Sequence, residues 1–456
     1  MNKLFTLIIL FISALAGAQE LSLSLDEAIA KAMEHNPELN NAQLDVESSE
    51  AKVKEVLSTG LPQVNGNVNF THNLEIPTSV LPDFISPSVY GVLFAENLLP
   101  SKDIQIGSFP AQFGVPYSMQ ATVGLNQLVF DGTYFLGLKA ASEFVKINEL
   151  IASKSEIDVR EGVMKAYYMA LISEQNLIQL DKSLTNLEKV EAETKAMYEA
   201  GFAEKLDHDR IILSVSTLKV NINNLKMQSE LALKLLLNAI GLDVNQDVSL
   251  TTSLPEFNST NFNASYGADL SAANRIEFQM LEQQQLLNSL SLKRYKMGYI
   301  PSIYLNANMG YNTFAQDGSI GDLGAEWFPL ASYGLNLNIP IFDGLYKKAK
   351  SDQVKIDIMK TDNSIAQLTN GINLEVAQSR SVYINALQNM ELQKNNMELA
   401  ESIYNTTTIK FKEGVGSSFE MVQAESDLTT ANTNYLNALY QLNIAKISLD
   451  KALGNL

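Results

Sequence analysis

Four stretches of the chain, Val56 to Leu74, Ile104 to Phe130, Met297 to Gln316 and Trp327 to Phe342, contain no Asp, Glu, Lys or Arg. Each holds a run of about ten residues in which apolar and polar positions alternate, the two-residue period of a strand. In the first, Val64, Val68 and Phe70 alternate with Asn65, Asn67, Asn69 and Thr71. The second sets Met119, Ala121, Val123 and Leu125 against Ser118, Gln120, Thr122 and Asn126. The third sets Leu305, Ala307, Met309 and Tyr311 against Asn306, Asn308 and Asn312, and the fourth sets Leu335, Leu337, Ile339 and Ile341 against Asn336 and Asn338. Strands are therefore expected near 64–72, 117–130, 303–312 and 333–342. A half-buried sheet in water normally carries Lys, Glu or Arg on its wet face. Here that face is Asn-rich and uncharged, the pattern of a transmembrane barrel with lipid outside and water inside. Four strands do not close a barrel, and an open edge in hydrocarbon leaves backbone groups unpaired at several kcal/mol each, so several chains must share one barrel. Two chains give eight strands and an interior filled by side chains, whereas three give twelve and room for water. The small polar inner face favours three.

The rest of the chain reads as helix, in two copies. Leu61-Pro62-Gln63 before the first strand matches Ile300-Pro301-Ser302 before the third, and Val129-Phe130-Asp131-Gly132 matches Ile341-Phe342-Asp343-Gly344. Gly132 and Gly201 stand 69 residues apart and Gly344 and Gly414 stand 70 apart, and 40 residues further on come Gly241 and Gly454. The returning segments carry a seam in steps of four and three: Ile211, Val215, Leu218, Ile222, Leu225, Ser229, Ala232, Leu236 and Ala239. It repeats 213 residues later as Leu428, Ala431, Tyr435, Ala438, Leu442, Ala445, Leu449 and Ala452. Such spacing over four heptads predicts coiled-coil packing, with Ala and Ser allowing close approach. At 1.5 Å per residue the longer helix of each copy spans about 100 Å and the return about 60 Å. A helix before each hairpin, about Pro37 to Ser58 and about Ala272 to Lys296, would complete the partner column and yield a helical tube about 100 Å long hanging from the barrel. The expected fold class is mainly α with a β-barrel part. The copies occupy 19–241 and 271–456, joined by a Ser-, Thr- and Asn-rich linker over 242–270 with one short strand near Val248 to Leu254. The stretch 73–116 departs from the repeat and holds six of the twelve prolines. It is expected as an extracellular loop, and docking of a surface partner and a protective cap over the barrel rim stand level as its roles.

The N-terminus adds a compartment. Met1-Asn2-Lys3, the apolar run Leu4 to Leu15 and the small residues Ala16 and Ala18 predict a signal peptide over 1–18, too short in its apolar core to span a bilayer. Charge and composition then remove whole classes of function. With 33 Lys plus Arg against 51 Asp plus Glu, the net charge of -18 leaves no basic face for nucleic acid. The absence of Cys excludes disulfides, thiolate metal sites and Cys nucleophiles. His35, His72 and His208 are scattered, no phosphate-cradling loop or nucleophile elbow occurs, and neither enzyme activity nor a cofactor is expected. The one local cluster, Asp207-His208-Asp209-Arg210, reads as a solvated helix start rather than a cation site, because adjacent helical residues point in different directions.

Several segments resemble the TolC family of outer-membrane efflux and secretion channels, over essentially the whole chain after the signal peptide. They are Asn36-Pro37-Glu38-Leu39, the Leu-Pro and Phe-Asp-Gly flanks of the hairpins, the Gly201 and Gly414 tip turns, and the close Tyr435-Leu436, Gln441-Leu442-Asn443-Ile444 and Ala452-Leu453-Gly454. The resemblance implies a homotrimer with a 12-stranded barrel in outer-membrane lipid and a periplasmic α-helical tunnel. It also implies a passive exit duct for efflux or type I secretion, served by a periplasmic adaptor and an inner-membrane transporter. The family gates its periplasmic end with acidic residues just after the tip glycines. Here Asp207 and Glu420 follow Gly201 and Gly414 by six residues, Gln423 fills the second acidic position of the copy-two hairpin, and Gly416 replaces a nearby tip Arg. Asp207, Glu420 and Gln423 are the candidate gate, and a latch built on the missing Arg is in doubt. The rival reading is a periplasmic coiled-coil scaffold whose strands form a soluble sheet. The cargo stays open among drugs, peptides, metals and secreted proteins.

Overall fold

A computed structural model describes residues 21–252, 272–316, 318 and 326–456; the expected signal peptide and most of the linker lie outside them. In chain order the elements are β1 (Leu21–Leu23), α1 (Leu25–His35), α2 (Pro37–Ser58), β2 (Gln63–His72), β3 (Thr78–Pro82), α3 (Ile85–Ala95), β4 (Ser108–Gln112), β5 (Tyr117–Phe130), α4 (Gly132–Glu199), α5 (Lys205–Ile240), β6 (Val248–Leu250), α6 (Ile276–Met297), β7 (Ser302–Ala315), β8 (Phe328–Asn338), α7 (Tyr346–Lys412) and α8 (Ser418–Ala452). A short 3₁₀ turn, Ala272–Asn274, precedes α6. The stretch 73–116 is not a bare loop, since it holds β3, α3 and β4. Two compact units form, and each draws on both sequence copies: one comprises Met1–Ala51, Ser142–Ser289 and Val354–Leu456, the other Lys52–Ala141 and Leu290–Gln353.

In the first unit, the seam of α5 turns inward. Ile211, Val215 and Leu218 are buried with Leu180, Leu187 and Val190 of α4, Tyr404 and Phe411 of α7, and Met421 and Ala424 of α8. Further along the same helix Ala232, Leu236 and Ile240 pack with Ala28, Ala32 and Leu39 and with Val159, Val163 and Tyr167. The second-copy seam does the same, with Ala438, Leu442, Ala445 and Leu449 buried against Tyr383 and Met390. The short strand of the linker is Val248–Leu250, and it pairs in parallel with β1. The Tyr167 hydroxyl, fully buried, fastens this pair by donating to the Leu23 carbonyl at 2.9 Å and accepting from the Thr252 N–H at 3.3 Å.

Both return helices end at the same device. Asn36 closes α1 and opens α2: its Oδ1 accepts from the N–H groups of Glu38 and Leu39 at 2.8 and 3.2 Å, while its Nδ2 donates to the Ala239 carbonyl at 2.8 Å. In the second copy the buried Arg275 donates to the Ala452 carbonyl at 2.9 Å and pairs with Glu277 at 3.1 Å and Glu375 at 3.2 Å. Each acceptor carbonyl lies two residues before a left-handed glycine, Gly241 (φ 89) or Gly454 (φ 70), so orphan helix-end carbonyls are satisfied from a neighbouring helix start. Beside this cap, Lys451 bridges Asp158 at 2.7 Å and Glu161 at 2.6 Å. Burial works against both carboxylates, but Lys451 with Lys154 or Lys165 outweighs it and holds them below the usual range.

The second unit is the sheet β2-β5-β7-β8, antiparallel throughout. Its fourth strand runs over Phe328–Asn338 and stops short of the expected 342, because Pro340 has no N–H to give the ladder. Among the described residues no helix is long and apolar enough to cross a membrane.

Candidate functional site

The register sorts the four strands into two faces. One face carries the rows Val64–Leu125–Ala307–Tyr333, Gly66–Val123–Met309–Ala331 and Val68–Ala121–Tyr311–Pro329. The other carries Asn65–Gly124–Asn308–Ser332 and Gln63–Asn126–Asn306–Gly334, and the Ser332 hydroxyl lies 2.8 Å from Asn308 Oδ1. Val64, Val68, Phe70, Met309, Tyr333, Leu335 and Leu337 are all largely exposed. A contiguous apolar face of this extent in water would be a standing liability. Aromatic rings mark both ends of the strands. Phe70, His72 and Tyr117 stack at one end and Phe130, Tyr134 and Phe135 cluster at the other, while Phe314 and Phe328 meet on the Asn-bearing face. An apolar band between two aromatic girdles is the dress of a membrane barrel wall. The outer strands β2 and β8 have no further partner among the described residues, are 10 and 11 residues long, and carry no Lys, Glu, Asp or Arg. Edge strands that must stay single are normally short, charged or bulged. These two run antiparallel to each other, so β8 of one chain can join β2 of the next.

The hairpin tips belong to the first unit and are built alike. Gly201 takes φ 82, its N–H bonding to the Tyr198 carbonyl and that of Phe202 to Met197; Gly414 takes φ 74, with Gly414 bonding to Phe411 and Val415 to Lys410. Both are Schellman closures, which demand a left-handed residue after the last helical turn. A capping box starts each return helix. Asp207 Oδ2 accepts from the Glu204 N–H at 3.3 Å, and Glu420 Oε2 from the Ser417 N–H at 3.5 Å while the Ser417 hydroxyl accepts from the Glu420 N–H at 3.2 Å. The two acidic candidates are thus the N3 residues of their helices. Gln423 points along its own helix and donates to Asp427 at 2.8 Å.

The tips also meet each other. The Ser418 hydroxyl donates to Asp207 Oδ1, Arg210 lies 5.8 Å over the Phe419 ring, and Lys412 pairs with Glu193 at 3.2 Å. Sequence reasoning missed Ser418 and Phe419 and read Arg210 only as part of a solvated helix start, although Ser417-x-x-Glu420 is a legible capping box. Asp207-His208-Asp209-Arg210 does not converge, since His208 stacks on Tyr198 at 6.2 Å while its neighbours turn to the cap and to Phe419. No group of ligating side chains fit for a metal ion occurs among the described residues. One more acid sits close behind the tips. Glu425 is 5% exposed and has the Thr429 hydroxyl as its donor at 2.9 Å; burial pushes its pKa above the usual carboxylate range, with Thr429 pulling part of the way back.

The chain joins a duplicated helical part to a four-stranded sheet with a membrane-type apolar face. Residues 268–455 match the family model described as Outer membrane efflux protein. The fold also matches VceC of Vibrio cholerae (TM-score 0.65, 13% identity, 94% of this chain and 96% of that one) and the CmeC outer membrane channel of Campylobacter jejuni (0.69, 15%, 94% and 85%). CusC, described in terms of transmembrane channel formation, matches at 0.69 with 15% identity over 94% and 91%. A search of curated proteins finds none that matches. The family resemblance read from the sequence is borne out.

Proposed function

We propose that three copies of this chain form an outer-membrane exit duct that drains substrates delivered from the periplasm. The observation that carries this reading is the pair of uncharged, unpartnered edge strands flanking a sheet with an exposed apolar face. Three chains of four strands give a twelve-stranded barrel with the Asn rows facing water. A water-soluble scaffold would leave Val64, Val68, Met309 and Leu335 uncovered and both edges open to aggregation. The long helices supply the periplasmic conduit of the TolC resemblance, and an adaptor and an inner-membrane transporter complete the route. Their contact surface is the tip pair, where Phe202 and Val415 are 82% and 77% exposed.

Asp207 and Glu420, with Gln423 one turn further along, form the gate of that conduit. In a trimer each becomes a three-fold ring, and rings of carboxylate attract cations. The test is planar-bilayer recording of the detergent-extracted protein, with its mass measured in the same preparation. Trimer mass with cation-preferring channels is expected, and Asp207→Ala and Glu420→Ala should alter resting conductance and weaken Mg²⁺ block. A monodisperse monomer that conducts ions would contradict the trimer. Variants with the parent's ion preference and Mg²⁺ block would reduce both residues to helix caps, worth about 0.3–1 kcal/mol each.

A further inference from the structure

The ribbon of β2 and β5 does not end at the aromatic girdle. Asn73 bonds to the Pro116 carbonyl at 2.7 Å and to the Val115 carbonyl at 3.0 Å, and β3 and β4 then continue as an antiparallel pair from Thr78↔Gln112 to Pro82↔Ser108. This ribbon presents α3 beyond the strand ends. The helix has a defined start and stop. Asp83 accepts from the N–H groups of Ile85 and Ser86 at 3.1 and 2.8 Å, and Asn97 (φ 55) closes the far end with the Leu98 N–H bonded to the Leu93 carbonyl.

Its sequence, Ile-Ser-Pro-Ser-Val-Tyr-Gly-Val-Leu-Phe-Ala, holds no charge. One face is half-buried, with Tyr90 and Phe94 at 5.9 Å between rings. The other is bare: Ile85, Val89 and Val92 are 53%, 51% and 63% exposed, in steps of four and three, and Ser88, Gly91 and Ala95 are exposed beside them. A Cβ at Gly91 would meet nothing within 4 Å. A helix apolar on all sides is normally buried. Lipid is a poor cover here, because the surrounding segment carries Glu75, Asp83, Glu96, Lys102 and Asp103 and lies past the girdle. A four-three stripe flanked by small residues is shaped for a second helix at close range.

We infer that α3 of each protomer packs against α3 of its neighbours, closing the outer mouth of the barrel with an apolar helical cap. The inference rests on the trimeric reading above: the segment connects β5 to β2, the edge strand that receives the next chain in that reading, so the α3 helices of neighbouring chains rise from around one barrel mouth. Export then requires the cap to part, which gives the duct an outer gate as well as a periplasmic one.

The chain has no cysteine, so single substitutions report cleanly. Val89→Cys and Val92→Cys are oxidised with copper phenanthroline in the full-length protein, with Lys102→Cys as the control and particle mass measured beforehand. A dimer-sized band is expected for the first two and none for the control. Trimeric particles without that band overturn the cap and leave the barrel standing, while particles that are not trimeric take both down. A fluorophore attached to the thiol of the Val92→Cys variant and quenched by bromolipid would move the helix to the bilayer and also overturn the proposal. In the conductance arm, Val89→Glu with Val92→Glu should raise single-channel conductance at least about two-fold at unchanged trimer mass. An unchanged conductance sinks the gating role.

Discussion

Glu425 is the residue whose chemistry is least expected from its neighbours. Nothing cationic compensates it among the described residues: Thr429 is its hydrogen-bond donor, and its charge helps to raise the phenol of Tyr404 on α7, itself lifted mainly by burial. Because the folded pKa lies above the unfolded one, stability from this group is fully present below the unfolded carboxylate value, about 4.3, and is lost as pH rises through the folded pKa. Glu425→Gln keeps the acceptor for Thr429 and removes the charge. The variant should match the parent at acid pH and become progressively more stable than it as pH rises, followed by urea titration between about pH 4 and 8. A difference that does not vary with pH would show that the side chain is already solvated or paired. The four-three seam extended backwards from Leu428 passes through the buried Ala424 and Met421, and Glu425 stands one residue off that line. No periodicity in the sequence marks it, so its burial is decided by the helices around it.

Among the elements, the decisive contacts sit where helices start and stop. Gly241 and Gly201 share a left-handed backbone, φ 89 and 82, yet their surroundings differ. A Cβ at Gly241 would meet the His35 carbonyl oxygen at 2.6 Å, whereas at Gly201 nothing lies within 4 Å. Gly201→Ala should therefore cost only the conformational penalty of about 1–2 kcal/mol. Gly241→Ala should cost more, because the α1–α2 junction held by Asn36 must also retreat. Thermal unfolding of the two variants side by side measures the difference, and equal losses would mean that the junction yields freely. The glycines and their 40-residue rhythm are plain to read in the chain. That Asn36 and Arg275 do the same work in the two copies is not, since one is an amide and the other a guanidinium.

In the assembled molecule the test lies in the two faces of the sheet. Met309 and Asn308 are neighbours on β7, and the pleat points them to opposite sides. Met309→Arg places a charge in the middle of the apolar band and should destabilise the barrel in liposomes by about 2–4 kcal/mol. Asn308→Arg points into water and should leave stability nearly untouched while shifting ion preference towards anions. Urea titration of liposome-folded protein, with bilayer recording of the second variant, separates them. Equal destabilisation would mean that neither face meets lipid.

The repeat, the first three strands of the sheet, the inward seams and the tip turns are legible along the chain, because each follows from a period or from a backbone preference carried by local residues. Four uncharged alternating runs carry the expectation of lipid on one side, water on the other and more than one chain. Folding in three dimensions added the parallel pairing of β1 with β6, the bond from Ser418 to Asp207, the capped and uncovered α3, and the burial of Glu425. Those features depend on which distant residues arrive at the same place, as Leu25 and Thr252 do from 227 positions apart, and no local pattern encodes such a meeting. The strand that ended early at Asn338 makes the same point from the other side: alternation continued past it, but Pro340 had no hydrogen to offer the ladder.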